Sequence, residues 1–246
     1  MSDGRITETR TCASHGEYEA YNYFRGHWNG CPKCDQERKE RQRREYEEEL
    51  DRQRHQNRLK ASGIEGRFLR ARFSSFEATT PAQRKALTAV QEYGHAFTRD
   101  TKSTLWLIGP PGTGKTHLGA ALVHEVIEQH KLWARIITPR QIVRQLRATW
   151  RRESEQTEEE VIDDLASDAL LVLDEVGVSF GSDGELVQLF DVLDARYRRE
   201  RPTLVISNLP HTAIKEALGD RLYDRLREGA RVLPCDWPSY RGRAAT

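Results

Sequence analysis

Long apolar runs are missing from this chain: nowhere in its 246 residues do apolar side chains continue for the 18 or so positions a membrane-crossing helix needs. The opening MSDGRITETR carries no apolar core of the kind a secretory signal has, so the expected location is cytoplasmic, with no membrane partner. An excess of one charge is missing too. Thirty-nine Lys and Arg face 38 Asp and Glu, so bulk charge names no anionic partner, and a nucleic-acid surface would have to be local. Cysteine is scarce, with four in all. Yet three of the four fall between Cys12 and Cys34, and in a reducing compartment such clustering points to metal rather than to disulfides. Residues 35–60 lack Gly and Pro and are almost without apolar side chains.

What is present divides the chain into three expected parts: a metal-binding module over 1–34, a charged helical linker over 35–62 and one sizeable domain over 63–246. The linker holds nine Lys/Arg and eight Asp/Glu. Glu37–Arg41, Glu40–Arg44 and Glu48–Arg52 are spaced for pairing one turn apart, which supports a solvated spacer helix. Tyr46, Leu50 and Leu59 are too few for a coiled-coil seam. Beyond Gly63, four apolar runs read as strands: Ser103–Ile108, Arg135–Thr138, Ala169–Leu173 and Thr203–Ile206. They do not alternate and helices separate them, so the expected fold is α/β, a parallel sheet covered on both faces.

GPPGTGKTH is the most informative stretch: Gly109, Pro110, Pro111, Gly112, Thr113, Gly114, Lys115, Thr116 and His117. It fits the G-x-x-x-x-G-K-[ST] pattern between a strand and a helix, where glycines let backbone N–H groups turn toward phosphate oxygens. Lys115 is the expected partner of the β- and γ-phosphates and Thr116 a Mg²⁺ ligand. LLVLDEVG then delivers Asp174 and Glu175 to the carboxyl end of a strand, the usual ligand edge of such sheets. Asp174 is expected to hold Mg²⁺ through water, and Glu175 to polarise the water that attacks the γ-phosphate. Ser207 and Asn208 end the next strand, where a polar side chain either senses the γ-phosphate or caps the following turn. Arg221 and Arg225 share a helical face, as surface ion pairs or as a finger reaching a neighbouring subunit's nucleotide.

A second pattern follows the second strand. Pro139 sits where a helix begins, and a helix is expected to about Arg152. Arg140, Arg144, Arg147 and Arg151 recur as one basic stripe able to neutralise successive phosphates. Ile142, Val143, Leu146 and Trp150 form the apolar face, which leaves Trp150 as either a core residue or a base-stacking one.

At the N-terminus, Cys12-x2-His15 and Cys31-x2-Cys34 make a Cys₃His set for tetrahedral Zn²⁺, with His27 as a rival to His15. So small a module builds no core, so metal would supply most of its folding free energy. Cys235 is remote and reads as a small core residue.

The ordered segments GPPGTGKTHL, RIITPRQIVRQLRATW, LLVLDEVGV, RPTLVISNL, LGDRLYDRLREG and DWPSYRGR resemble the DnaC-type replicative helicase loaders, AAA+ ATPases related to the transposition helper IstB, in a phage-type variant with a zinc module. The resemblance covers roughly residues 63–243. It implies a five-stranded parallel AAA+ core that binds ATP with Mg²⁺, and a hexameric replicative helicase and single-stranded DNA as partners. By position Asn208 resembles the first sensor, Arg225 the arginine finger that acts on self-assembly, and Arg241 the second sensor. DNA contact is implied for the helix from Pro139. Gly184 stands where the family has an aromatic DNA contact, so either DNA affinity is lower or Phe180 substitutes. The expected activity is therefore slow, assembly-dependent ATP hydrolysis in helicase loading. The alternatives are an IstB-like transposition helper or a nucleotide-switched binding protein. The zinc module, having only Arg25 and Lys33 as basic residues between its ligands, reads as a grip on the helicase rather than as a DNA-binding finger.

Overall fold

The computed structural model describes residues 6–24, 27–177 and 183–240. The chain divides into two compact units, Met1–Arg54 and His55–Thr246.

In the first unit, strands β1 (Thr7–Cys12), β2 (Gly16–Phe24) and β3 (His27–Trp28) form an antiparallel sheet in that order. Cys12 pairs with Gly16 at the hairpin, and Gly16 takes φ 74°, the left-handed turn that glycine permits. Helix α1 (Pro32–Ala61) buries none of its residues, as its composition requires. It starts at Pro32, so Cys34 belongs to its first turn and not to a loop before it. Its ion pairs differ from those the spacing suggested: Arg52 meets Glu49, Arg43 meets Glu47, and Glu37 turns to His15. Such exposed pairs stabilise a helix only slightly, so nothing fixes which acid each arginine chooses.

In the second unit, helix α2 (Pro81–His95) precedes strand β4 (Thr104–Ile108). There follow α3 (Lys115–Glu128), β5 (Ala134–Ile137), α4 (Pro139–Ala148), α5 (Glu158–Ser167) and β6 (Leu170–Leu173). The last elements are α6 (Asp183–Arg198), β7 (Thr203–Ser207), α7 (His211–Arg227) and β8 (Ala230–Pro234). The five strands are all parallel, in the order β5-β6-β7-β4-β8. Successive residues of each inner strand enter different cores. Leu105, Leu107, Leu170, Val172, Leu204 and Ile206 pack under α2 and α3. Trp106, Leu171, Leu173 and Val205 pack with apolar residues of α4–α7. A sheet covered on both faces explains why these strands carry no alternation. The fifth strand, β8, is an edge with Arg231 exposed, and it escaped the apolar-run criterion for that reason.

The helix after β5 ends earlier than expected. Thr149 bonds the Leu146 carbonyl through both its N–H (3.1 Å) and its hydroxyl (2.6 Å). Trp150 and Arg151 then bond three residues back, to Arg147 and Ala148, and the α-helical ladder stops.

Between α6 and β7, Arg196 is fully buried. It donates to the carbonyls of Leu165 (2.8 Å), Asp168 (2.9 Å) and Pro202 (2.6 Å) and to Thr203 Oγ1 (3.1 Å). It ties α5, α6 and the start of β7 beneath the acidic strand β6.

Candidate functional site

At the carboxyl edge of the sheet lies a cavity of about 440 Å³. It is lined by the turn from Pro111 to Thr116 with His117, together with Asp174, Glu175, Ser207 and Asn208. Arg67, Phe68, Phe76, Glu77, Gln83, Trp237 and Tyr240 complete the lining.

The turn after β4 is gripped by distant residues. Trp237 Nε1 donates to the Thr113 carbonyl at 2.9 Å, and the Tyr240 N–H donates to the Gly112 carbonyl at 2.9 Å. Gly112 has φ 82°, and a Cβ there would lie 1.9 Å from Ser239 Oγ, so the close approach needs glycine. Lys115 is 5% exposed, and its Nζ donates to the carbonyls of Gly109 (2.6 Å) and Pro110 (2.7 Å) and to Thr113 Oγ1 (3.2 Å). His117 Nε2 lies 3.0 Å from the Arg72 carbonyl and 3.1 Å from Ser75 Oγ, joining the start of α3 to the segment before α2.

Opposite, Asp174 is buried and its N–H donates to the Ile137 carbonyl at 2.9 Å. Burial pushes its carboxyl upward, while the Thr116 hydroxyl and the Glu175 N–H (2.8 Å) favour the ionised form. A carboxylate beside a threonine hydroxyl, at the N-terminus of a helix and next to a buried lysine, is a donor set that suits Mg²⁺ bound to a nucleotide. Glu175 is exposed and left-handed, at φ 60°, an uncommon state for a non-glycine residue. Ser207 faces inward and donates to the Val176 carbonyl at 2.6 Å, so of the two polar residues ending β7 it is Asn208 that is exposed at the cavity.

Arg225 is absent from the lining. It pairs with Asp194 and its guanidinium lies over the rings of Phe190 (4.6 Å) and Tyr197 (5.4 Å), all on α6. Arg221 is exposed on α7. Arg241 and Phe180 lie outside the described residues, and Gly184 is in the first turn of α6.

The turn and the acid pair have the arrangement of a phosphate-loop site, and the comparisons place the chain in an ATP-binding family. The model of the IstB-like ATP binding proteins matches residues 35–246. The chain belongs to that family. The family member described here is 34% identical over 184 residues to a replicative helicase loader DnaC of Buchnera aphidicola subsp. Acyrthosiphon pisum, covering 74% of each chain. It is 33% identical over 183 residues to the replicative helicase loader DnaC of Escherichia coli K12, again over 74% of each. A crystal structure of the DnaC helicase loader shares its fold, with TM-score 0.63 and 19% identity over 69% of this chain and 99% of that one. The fold is thus the expected AAA+ core.

On α4, Arg140, Arg144 and Arg147 are exposed, while Ile142, Val143 and Leu146 are buried. Arg147 pairs with Glu185 at 3.1 Å. Trp150 is not part of the apolar face. It lies past the helix end, 64% exposed, and its Nε1 donates to Glu158 at 3.0 Å. Arg151 is exposed in the same turn and off the helical stripe. Thr138 caps the helix: its hydroxyl accepts from the Gln141 N–H at 3.2 Å and Gln141 Oε1 accepts from the Thr138 N–H at 2.8 Å.

In the first unit, single ligand atoms of Cys12, His15, Cys31 and Cys34 all lie within 4.8 Å of one another. Cys12 and Cys34 sulfurs are 3.4 Å apart, and His15 Nδ1 is 3.7, 3.7 and 3.3 Å from Cys12, Cys31 and Cys34. A tetrahedral zinc with bonds of about 2.3 Å to sulfur and about 2.0 Å to nitrogen sets ligand edges of about 3.5–3.8 Å, so the group fits. The charges agree. Ser14's backbone N–H, with Cys34 and His15, holds the Cys12 thiol down to about 6, while Cys34 is pushed up to about 12 by its bond to Cys12. One negative charge is favoured and a second opposed, which is the demand a dication meets. His15 Nε2 meets Glu37 at 2.9 Å, which raises the imidazole to about 8 and leaves Nδ1 facing the thiols. His27, on β3, is outside the cluster.

The part of the lining drawn from Phe68 to Gln83 and from Trp237 to Tyr240 was missed in sequence apart from the quoted DWPSYRGR. No local pattern marks it, since tertiary packing alone brings those segments to the turn.

Proposed function

We propose that this protein is an ATP-dependent helicase loader of DNA replication, which grips a hexameric replicative helicase and assists its placement on single-stranded DNA. One observation carries the reading: the phosphate-binding turn and the acid pair line a single cavity in a chain about one-third identical, over 74% of its length, to proteins named replicative helicase loaders. That similarity favours loading over a role as transposition helper.

ATP would place its phosphates against the turn, where Lys115 exchanges the Gly109 and Pro110 carbonyls for phosphate oxygens. Mg²⁺, held by Thr116 and Asp174, would neutralise charge on the β- and γ-phosphates. Glu175 orients and deprotonates the attacking water, and Asn208 registers whether the γ-phosphate is present. Turnover is slow in the isolated chain because Arg225 is engaged with Asp194. On self-assembly it is released to a neighbour's nucleotide, and Arg241 completes the site in cis. Arg140, Arg144, Arg147 and Arg151 hold the strand by its phosphates, and the exposed Trp150 stacks on a base. The zinc module of residues 1–34 is the grip, and the charged helix spaces it from the ATPase domain.

The test mixes the full chain with a hexameric replicative helicase and ATP and measures the native mass. A defined complex carrying zinc and nucleotide supports the proposal. Separate masses under all nucleotide conditions refute it.

A further inference from the structure

The turn and the acid pair account for the triphosphate but leave unexplained a buried amide in the same lining. Gln83, in the first turn of α2, is 6% exposed yet lines the cavity. Its Oε1 accepts three hydrogen bonds, from the N–H of Thr79, the hydroxyl of Thr79 and the N–H of Thr80, each at 2.9 Å. Two of those donors are backbone amides, which can only donate, so the oxygen and nitrogen of the side chain are assigned by chemistry. The oxygen is saturated. The Nε2 group has no protein partner among the described residues, and because Gln83 lines the cavity its donor is open to whatever occupies it. With the phosphates at the turn, the rest of the lining, which includes the rings of Phe68, Phe76 and Trp237, is what remains for the base to meet.

We infer that Gln83 is a base-reading residue, whose Nε2 donates to a ring nitrogen of the purine while the neighbouring Glu77 carboxylate accepts from its exocyclic amine. Glu77 also lines the cavity and accepts from Tyr240 Oη at 3.1 Å, which holds it at the rim. A ring-nitrogen acceptor beside an amine donor is what adenine offers. A 6-oxo purine turns a carbonyl oxygen toward the carboxylate instead, leaving two acceptors face to face. The pair thus selects the 6-amino purine, by the same logic that makes an unpaired polar group discriminate more strongly than a hydrophobic fit. The inference rests on the reading of this cavity as the ATP site.

The informative variant is Gln83→Glu. A glutamate keeps the oxygen that Thr79 and Thr80 require, as in any N-terminal capping box, and replaces only the NH₂ by an acceptor. The full chain is titrated with ATP, ITP, tripolyphosphate and the 1-, 3- and 7-deaza analogues of ATP. Wild type is expected to bind ATP about 10-fold or more tightly than ITP, to lose about 10-fold for either the 1-deaza or the 7-deaza analogue, which names the nitrogen beside the amine, and to bind the 3-deaza analogue as it binds ATP. Gln83→Glu is expected to lose about 10-fold or more for ATP, to bind tripolyphosphate as wild type does and to keep the apo unfolding midpoint. Equal ATP affinity in the two proteins, or wild-type binding of the 1-deaza and 7-deaza analogues as tight as of ATP, overturns the inference while leaving the ATP site standing. Failure of wild type to bind ATP and tripolyphosphate alike overturns both. Should Gln83→Glu unfold, the deaza series on wild type decides alone.

Discussion

Glu175 holds a left-handed backbone at the point where the acidic strand leaves the sheet, and this makes the sign of a stability difference predictable. At an ordinary position glycine is less stable than alanine by about 0.5–1 kcal/mol, because it loses more chain entropy on folding. At φ 60° the comparison reverses. An L side chain there costs about 1–2 kcal/mol that glycine does not. Subtracting the entropic loss leaves Glu175→Gly more stable than Glu175→Ala by about 0.5–1 kcal/mol. The Glu175 side chain is exposed to the cavity, so truncating it in both variants removes little packing that would blur the difference. Urea unfolding of the nucleotide-free variants is the assay, with the midpoint shifted at constant slope. ATP hydrolysis should be absent from both, since neither has the carboxylate. If Glu175→Ala proves the more stable of the two, the backbone is relaxed at that position and no strain is held at the acidic motif.

Arg196→Met should destabilise the protein by about 3–5 kcal/mol, because three carbonyls lose their donor inside the core. A midpoint within experimental error of wild type in urea would show that those carbonyls find other partners. Glu37→Gln should weaken zinc binding by about 10–100-fold without removing a ligand, as measured by competition with a chelator, since the carboxylate orients His15; undiminished affinity would exclude that role. Reversing Arg144 and Arg147 together to glutamate should weaken single-stranded DNA binding and make its salt dependence shallower, and an unchanged slope would remove DNA from this helix. His124 is buried, and desolvation with the Arg72 charge holds its imidazole below the ordinary 6.5. The unfolded chain therefore takes up the proton first, so this contribution to stability is full above 6.5 and is lost as the pH falls toward the folded value. His124→Gln should flatten the fall in stability over that acid range, as followed by urea unfolding at a series of pH values.

How far the sequence could be read follows from what each segment touches. Strands β4 to β7 were legible because both their faces are covered, leaving unbroken apolar runs, and the glycine-rich turn and acid pair were legible because their chemistry fixes residue types at set spacings. The edge strand β8 was reached only through family resemblance, since the exposed Arg231 and half-buried Val232 give it no apolar run. The hairpin strands β1 and β2 carry exposed and half-buried side chains over most of their length, and only the ligand spacing betrayed the module. Trp150 misled because helical phase was extended past Thr149, whose hydroxyl ends the helix by taking the Leu146 carbonyl. Glu37 could not be assigned in advance: two acceptable partners, Arg41 and His15, differ only in which one the tertiary fold brings near.

The turn between β4 and α3 is clasped by Trp237 and Tyr240, residues that follow every strand of the sheet in chain order. A ribosome therefore makes the turn long before it makes the clasp. While residues 237–240 are still in the exit tunnel, the nascent chain can lay down its first four sheet strands but lacks part of the wall around the triphosphate pocket. Nucleotide would thus be captured well only once residues 237–240 have left the tunnel and closed on the turn.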